Sequence, residues 1–198
     1  MARVHAVILA GGSGRMGGTT KADLQLGGKR LLDWVLSDLE ASDLVTGARV
    51  VVAPPHVRVP AHVQRTLEDP PAGGPVAGIF AGLGKAGARS EDIVWLATCD
   101  APYAAAALPR LHAQLLRAGH AIDAVIAIDD RGREQYLLGA YRVRSLHQRA
   151  QSWRQGGAAL HGAPMWRFIS ALAIKAQPTP AVILNDVDTW DDLRALES

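Results

Sequence analysis

Between Leu9 and Lys21 the chain carries Gly11, Gly12, Gly14, Gly17 and Gly18 together with Arg15 and Lys21. Glycines let backbone N–H groups approach an anion closely and adopt conformations closed to other residues. The two cations add positive charge where a polyphosphate would lie. The run Leu9, Ala10, Gly11, Gly12, Ser13, Gly14 is therefore a candidate phosphate cradle, its alternative being a surface loop. Farther on, Asp100 follows the apolar run from Ile93 to Ala97. A carboxylate at the C-terminal end of a strand can hold Mg²⁺, which takes one or two carboxylates plus substrate phosphates; equally, Asp100 can start a turn before Pro102. Asp186 and Asp188 alternate, so in extended chain they share one face and could meet the same metal, or cap the helix that follows. Gly74 and Gly78 frame a helix start suited to an anion or a ribose-base edge, and Asp69 just ahead of them could accept hydrogen bonds from a guanine or a ribose.

Three better-known glycine motifs compete for the first loop. Gly12-Ser-Gly14-Arg-Met-Gly17 matches the G-x-G-x-x-G spacing of dinucleotide-binding proteins. That motif should open a helix at once and be followed by an acid after the second strand. Here Gly18-Thr-Thr-Lys-Ala-Asp23 intervenes, and the second strand runs into Ala53-Pro54-Pro55. A P-loop needs Gly-Lys-Ser/Thr, where this chain has Gly17-Gly18-Thr19. A G-x-S-x-G nucleophile elbow would need glycine at Arg15, which leaves Ser13 a poor nucleophile.

The elements that must position these residues follow from periodicity. Val4–Leu9 is almost wholly apolar, as a central strand covered on both faces requires. Leu31, Leu32, Val35, Leu36 and Leu39 recur at helical spacing, which predicts a helix from Arg30 to Ala41. Strands are expected at Arg49–Ala53, Val63–Leu67, Ile93–Ala97, Ala124–Ile128 and Gln135–Tyr141. Further strands are expected at Leu172–Ile174 and Val182–Leu184. Pro75 sits just inside a helix running to about Lys85. Leu108, Leu111, Leu115 and Leu116 mark another helix ending near Gly119. A helical stretch follows Val143, and a last helix starts at Thr189. Alternation of strand and helix predicts an α/β protein.

At 198 residues the chain suits one well-cored domain. A net charge of +2 is too small to imply a nucleic-acid partner. The single cysteine, Cys99, excludes an internal disulfide framework or a thiolate-rich zinc cluster. No segment approaches the roughly 20 apolar residues of a membrane span, and the N-terminus lacks the longer apolar run of a signal peptide. The expectation is a cytoplasmic protein with no membrane partner.

Leu9-Ala-Gly-Gly12, Arg15-Met-Gly17, Lys21 and Leu26-Gly-Gly-Lys-Arg-Leu-Leu32 together resemble the signature of the nucleoside-triphosphate transferase superfamily, and within it the molybdenum cofactor guanylyltransferase family. The resemblance continues in Glu68-Asp69-Pro-Pro-Ala-Gly-Gly74-Pro75-Val-Ala-Gly78, in Thr98-Cys99-Asp100-Ala-Pro102-Tyr103, and in Asn185-Asp186-Val-Asp188-Thr189 with Asp192-Leu193. It covers nearly the whole chain. Two departures stand out: Ser13-Gly14 fills a gap usually of three residues, and Thr20 precedes Lys21 where an aspartate is usual.

The resemblance implies a single domain spanning residues 1–198, a three-layer sandwich with a mostly parallel, Rossmann-like sheet and helices on both faces. It implies transfer of GMP from GTP to the phosphate of molybdopterin, with pyrophosphate leaving. Asp100 and Asp188 would hold Mg²⁺, or Mn²⁺ in its place. Arg15 and Lys21 would neutralise the phosphates, assisted by backbone N–H groups of Gly11 to Gly14, and no general base is needed for an acceptor phosphate already ionised. The guanine preference rests on Gly11, where related cytidylyltransferases tend to carry alanine. Gly132-Arg-Glu-Gln-Tyr-Leu137 with Tyr141-Arg142 would wall the acceptor side, where Arg133 and Arg142 could meet the acceptor's phosphate, the alternative being a solvated turn and strand edge; contact with molybdenum cofactor assembly or acceptor enzymes is implied. The competing readings are a related transferase with another base or small phosphorylated acceptor, a dinucleotide-binding oxidoreductase, and a nucleotide-binding module without catalysis.

Overall fold

The computed structural model describes residues 2–11, 15, 16 and 18–197. The strands in chain order are β1 (Val4–Leu9), β2 (Arg15–Met16), β3 (Thr19–Thr20), β4 (Gln25–Leu26), β5 (Lys29–Arg30), β6 (Arg49–Val52), β7 (Gln64–Thr66), β8 (Ile93–Thr98), β9 (Ala124–Ile128), β10 (Glu134–Arg142) and β11 (Ile174–Pro178). The helices are α1 (Leu31–Glu40), α2 (Gly74–Ala86), α3 (Leu108–Arg117), α4 (Val143–Gln155), α5 (Met165–Ile169), α6 (Ala181–Leu184) and α7 (Trp190–Glu197).

Seven strands form one sheet in the order β11-β9-β10-β8-β1-β6-β7. Only β10 runs against the rest, pairing antiparallel with both β8 and β9. The apolar runs read from the sequence are the interior strands, and their side chains divide by alternation. Ala6, Ile8, Trp95 and Ala97 pack under α1 and α3 on one face. Val7, Val50, Val94 and Leu96 pack under α2, α4 and α5 on the other. This is the expected three-layer α/β arrangement, with a mostly parallel sheet covered on both faces.

Close packing sets the seat of α2. A Cβ at Gly82 would lie 2.6 Å from Val7 Cγ1, so only glycine lets the helix settle this near β1. A smaller apolar cluster joins Met16, Leu24, Leu26 and Leu31 to Val187 and Leu193. It ties the segment after β1 to the end of the chain.

Two expected strands differ. Val182–Leu184 lies in the short helix α6, which opens after Pro180. Three apolar residues span no period, so alternation cannot separate a strand from one helical turn there; in the fold Ile183 and Leu184 pack inward while Val182 is 66% exposed. The strand expected from Leu172 begins only at Ile174, because the Leu172 amide closes a turn on the Ile169 carbonyl.

Candidate active site

β1 and β8 are in register, Val4 opposite Ile93 through Leu9 opposite Thr98, so both strands end at the same level. The chain leaves them as Ala10-Gly11 beside Cys99-Asp100, with the Cys99 amide donating to the Leu9 carbonyl at 3.1 Å. From β1 the sheet continues through β6 and β7 on one side and through β8 on the other. The gap outside such a switch point is where open α/β sheets bind ligands.

Two cavities meet there. One, of about 390 Å³, is lined by Leu9, Ala10, Gly11 and Lys21 from the first loop, by Glu68, Gly74 and Gly78 around the start of α2, and by Asp100. The other, of about 290 Å³, is lined by Asp100, Arg133, Tyr136, Met165, Leu184 and Asp186. Thr98, Asp100 and Leu137 border both. A reacting atom at Asp100 would therefore be reachable from either side.

Lys21 opens a short 3-10 turn after the β2–β3 hairpin. Thr20 Oγ1 donates to Asp23 at 2.8 Å, and Arg30 holds the same Asp23 at 2.9 Å. The threonine that replaces the usual aspartate thus anchors the turn through its hydroxyl. The Lys21 ammonium, 18% exposed, donates to Asp100 Oδ2 at 3.3 Å and also to Asp188 Oδ1. Partial burial works against its charge, but the carboxylates of Asp188 and Asp100 outweigh that and its pKa is raised.

The closing segment is pinned by backbone. The Val187 amide donates to the Asp100 carbonyl at 2.8 Å, and the Val187 side chain is fully buried. Asp186 and Asp188 flank it and are divided between two tasks, Asp188 on Lys21 and Asp186 in the second cavity. Burial and the charges of Asp188 and Asp100 raise the Asp186 pKa. Thr189 caps α7, its hydroxyl accepting from the Asp192 amide at 3.2 Å while the Asp192 carboxylate accepts from the Thr189 and Asp188 amides, so the Asp188 side chain is not the cap.

Leu9, Ala10, Gly11, Lys21, Gly74, Gly78 and Asp100 are brought together around the larger cavity. Asp69 is exposed and does not line the cavity; Glu68 stands there instead, accepting from the Gly73 amide at 3.2 Å. Gly12, Ser13, Gly14 and the Arg15 side chain lie outside the described residues. Arg133 reaches the second cavity, whereas Arg142 donates to the Ile122, Leu115 and Gly119 carbonyls and serves the end of α3. Cys99 is buried and its thiol is pushed up to about 12 by that burial, which removes it as a nucleophile.

Arg133 to Leu137, part of the stretch read from the sequence as a wall of the acceptor side, line the second cavity; the bulge that turns them there was missed. Between Gln135 and Gly139 the register of β10 on β9 shifts, and Tyr136, Leu137 and Leu138 leave the ladder toward both cavities. The buried Tyr141 hydroxyl donates to the Tyr136 carbonyl at 2.6 Å and holds this bulge. A Cβ at Gly139 would meet the Val125 carbonyl at 2.8 Å. That glycine inside a strand was the available signal.

Among the described residues no group of three or more His, Cys, Asp and Glu is arranged for a metal. Asp100 and Asp188 nevertheless converge on one cation, the Lys21 ammonium. Two carboxylates, with substrate phosphates completing the shell, match what Mg²⁺ requires.

Fold and site together define an α/β protein of the nucleotide-binding kind, with the switch-point cleft divided in two by an acidic residue. Residues 6–176 match the MobA-like NTP transferase domain, and the chain belongs to that family. It is 39% identical over 113 residues to the molybdenum cofactor guanylyltransferase of Cereibacter sphaeroides. That match covers 55% of this chain and 56% of the relative, little more than half the length of either. Among solved structures, the molybdopterin-guanine dinucleotide biosynthesis protein A of Archaeoglobus fulgidus superposes with a TM-score of 0.69 at 22% identity, covering 98% of this chain and 96% of that one. The 2-C-methyl-D-erythritol 4-phosphate cytidylyltransferase of Thermus thermophilus gives 0.68 at 18% identity over 98% and 97%. These two likenesses are of fold. No helix among the described residues is long and apolar enough to cross a membrane.

Proposed function

We propose that the whole of residues 1–198 forms one catalytic domain that moves GMP from GTP to the phosphate of molybdopterin, in the cytoplasm. The observation that carries this reading is the pair of cavities sharing Asp100. A transferase must hold donor and acceptor in line across one reacting phosphorus, and positioning supplies much of the rate.

The larger cavity suits the nucleotide. The N-terminus of α2, whose N-cap Gly73 supplies no side-chain cap, and the Ala10-Gly11 backbone border it, and both favour phosphate or ribose oxygens. Glu68 supports guanine over cytosine. Guanine offers N1–H and N2–H₂ side by side to a carboxylate, while cytosine offers a single amino group. A Cβ at Gly11 would meet Val52 O at 3.6 Å and Leu67 Cδ1 at 3.9 Å, ordinary contacts, so the protein's own packing does not demand glycine there. Its bareness leaves room for the larger base.

In the transfer, an acceptor phosphate oxygen forms a bond to the α-phosphorus as the bond to the β-phosphate bridging oxygen breaks and pyrophosphate departs. Lys21 neutralises the triphosphate, with Arg15 and the Gly11–Gly14 amides as its expected partners. Arg133 orients the acceptor phosphate. Asp100 and Asp188 would hold Mg²⁺, or Mn²⁺ in its place, and when bound the ion supplies charge that offsets what develops on the phosphates. No side chain is required as a base, because the acceptor phosphate is already ionised near neutral pH.

A thermal-shift series with GTP, CTP, ATP and UTP in the presence of Mg²⁺ tests the donor. Ligand at a hundred times its Kd stabilises the native state by about 2.7 kcal/mol. GTP should give the largest shift, and Glu68→Gln should reduce it. Stabilisation by CTP alone would replace the guanine assignment with cytidylyl transfer.

A further inference from the structure

Lys21 has one charge and two claims upon it. Its ammonium donates to both Asp100 and Asp188, the carboxylates assigned to the metal, while the same ammonium is assigned to the triphosphate. Its backbone is fixed in the turn anchored by Thr20, Asp23 and Arg30, so a change of partner falls to the side chain alone. Asp100 and Asp188 come from distant parts of the chain and are brought to one point by the Val187–Asp100 backbone bond and by this shared cation. Without a positive charge between them they would repel each other at short range.

We propose that Lys21 is a placeholder cation: in the nucleotide-free protein it holds Asp100 and Asp188 together and opposes entry of a divalent ion, and it yields that position when it turns to the triphosphate. This rests on the metal–nucleotide reading of the site. Lys21 is thereby a positioning residue for the metal carboxylates as well as a phosphate ligand. Its consequence is coupling. Triphosphate and metal favour each other by more than their direct contact, because binding of one removes the competitor of the other. The idle protein would carry little metal, and charging of the site would wait for the donor substrate.

Removing the lysine charge should therefore move the two affinities in opposite directions. Lys21→Met and Lys21→Gln remove the charge and keep most of the side chain's bulk, and both lie on a turn held by other residues. Mn²⁺ binding to each variant, without nucleotide, is read from the loss of the free-ion EPR signal, and GTP binding without metal is read by calorimetry. Both variants should bind Mn²⁺ roughly two- to fivefold more tightly than wild type, the scale of a partly exposed ion pair, while binding GTP more weakly. Mn²⁺ affinity unchanged or weakened in both variants, with Asp100→Asn still abolishing it, overturns the placeholder role and leaves the metal site standing. Mn²⁺ that fails to bind wild type even with GTP, or that binds Asp100→Asn as tightly, overturns the metal reading and the placeholder role with it.

Discussion

Asp100 and Glu68 show how differently two carboxylates can be read from one sequence. Asp100 stands just past the apolar run Ile93–Ala97, where the chain must leave the sheet, and its position was legible. Glu68 and Asp69 are adjacent acids two and three residues beyond β7. Alternation loses its authority once a strand ends, so which one turns inward is decided by the course of the backbone into α2. Gly73 settles it by donating its amide to Glu68. At the scale of single residues, Asp100→Ala should lower transfer by at least about a hundredfold, the scale of losing one charge-stabilising group, with the thermal midpoint little changed. Near-normal turnover in steady-state assays would remove Asp100 from the site. Asp69→Asn should leave GTP binding close to wild type, measured by calorimetry, whereas Glu68→Gln should weaken it.

Elements place these residues, and they differ in how openly the sequence declares them. Long periodic segments such as α1 and the buried β1 and β8 were evident because their apolar spacing has room to repeat. The bulge in β10 was not, since Tyr136, Leu137 and Leu138 continue a strand-like pattern, Gly139 only hints at an irregularity, and the paired strand is needed to place the slip. Tyr141→Phe keeps the ring and removes the hydroxyl that holds the Tyr136 carbonyl. The expected result is a stability loss of about 1 kcal/mol, together with a KM for the acceptor that rises more than kcat falls. A change confined to stability would separate the bulge from the acceptor side. Gly82→Ala tests the seat of α2, because the added carbon would lie 2.6 Å from Val7 Cγ1. Overpacking of this kind costs about 1–3 kcal/mol, read as a lower urea midpoint.

For the molecule as a whole, the end of the sheet opposite the cleft is fastened by a buried pair. His5 Nδ1 accepts from the Ala48 amide at 3.0 Å, which leaves the proton on Nε2 to be donated to Asp92 at 3.1 Å. Burial alone would raise the Asp92 pKa, but the Arg3 and Arg89 amides and His5 outweigh it and hold the carboxyl below its usual value. Stability from Asp92 is therefore present above the ordinary carboxylate pKa of about 3.9 and is lost as pH falls through it toward the lowered value. Urea unfolding between pH 3 and 7 should show that loss in wild type and a flatter acid limb in Asp92→Asn. This fastening leaves the cleft end free to be shaped by loops, and in the proposed reaction donor and acceptor meet there across Asp100. The most direct test of that meeting is pyrophosphate release from GTP and Mg²⁺ with and without molybdopterin. Release that requires both substrates, matches the guanine dinucleotide formed and disappears in Asp100→Ala is the predicted result. GTP breakdown that proceeds equally without acceptor, or no release with both present, would contradict it.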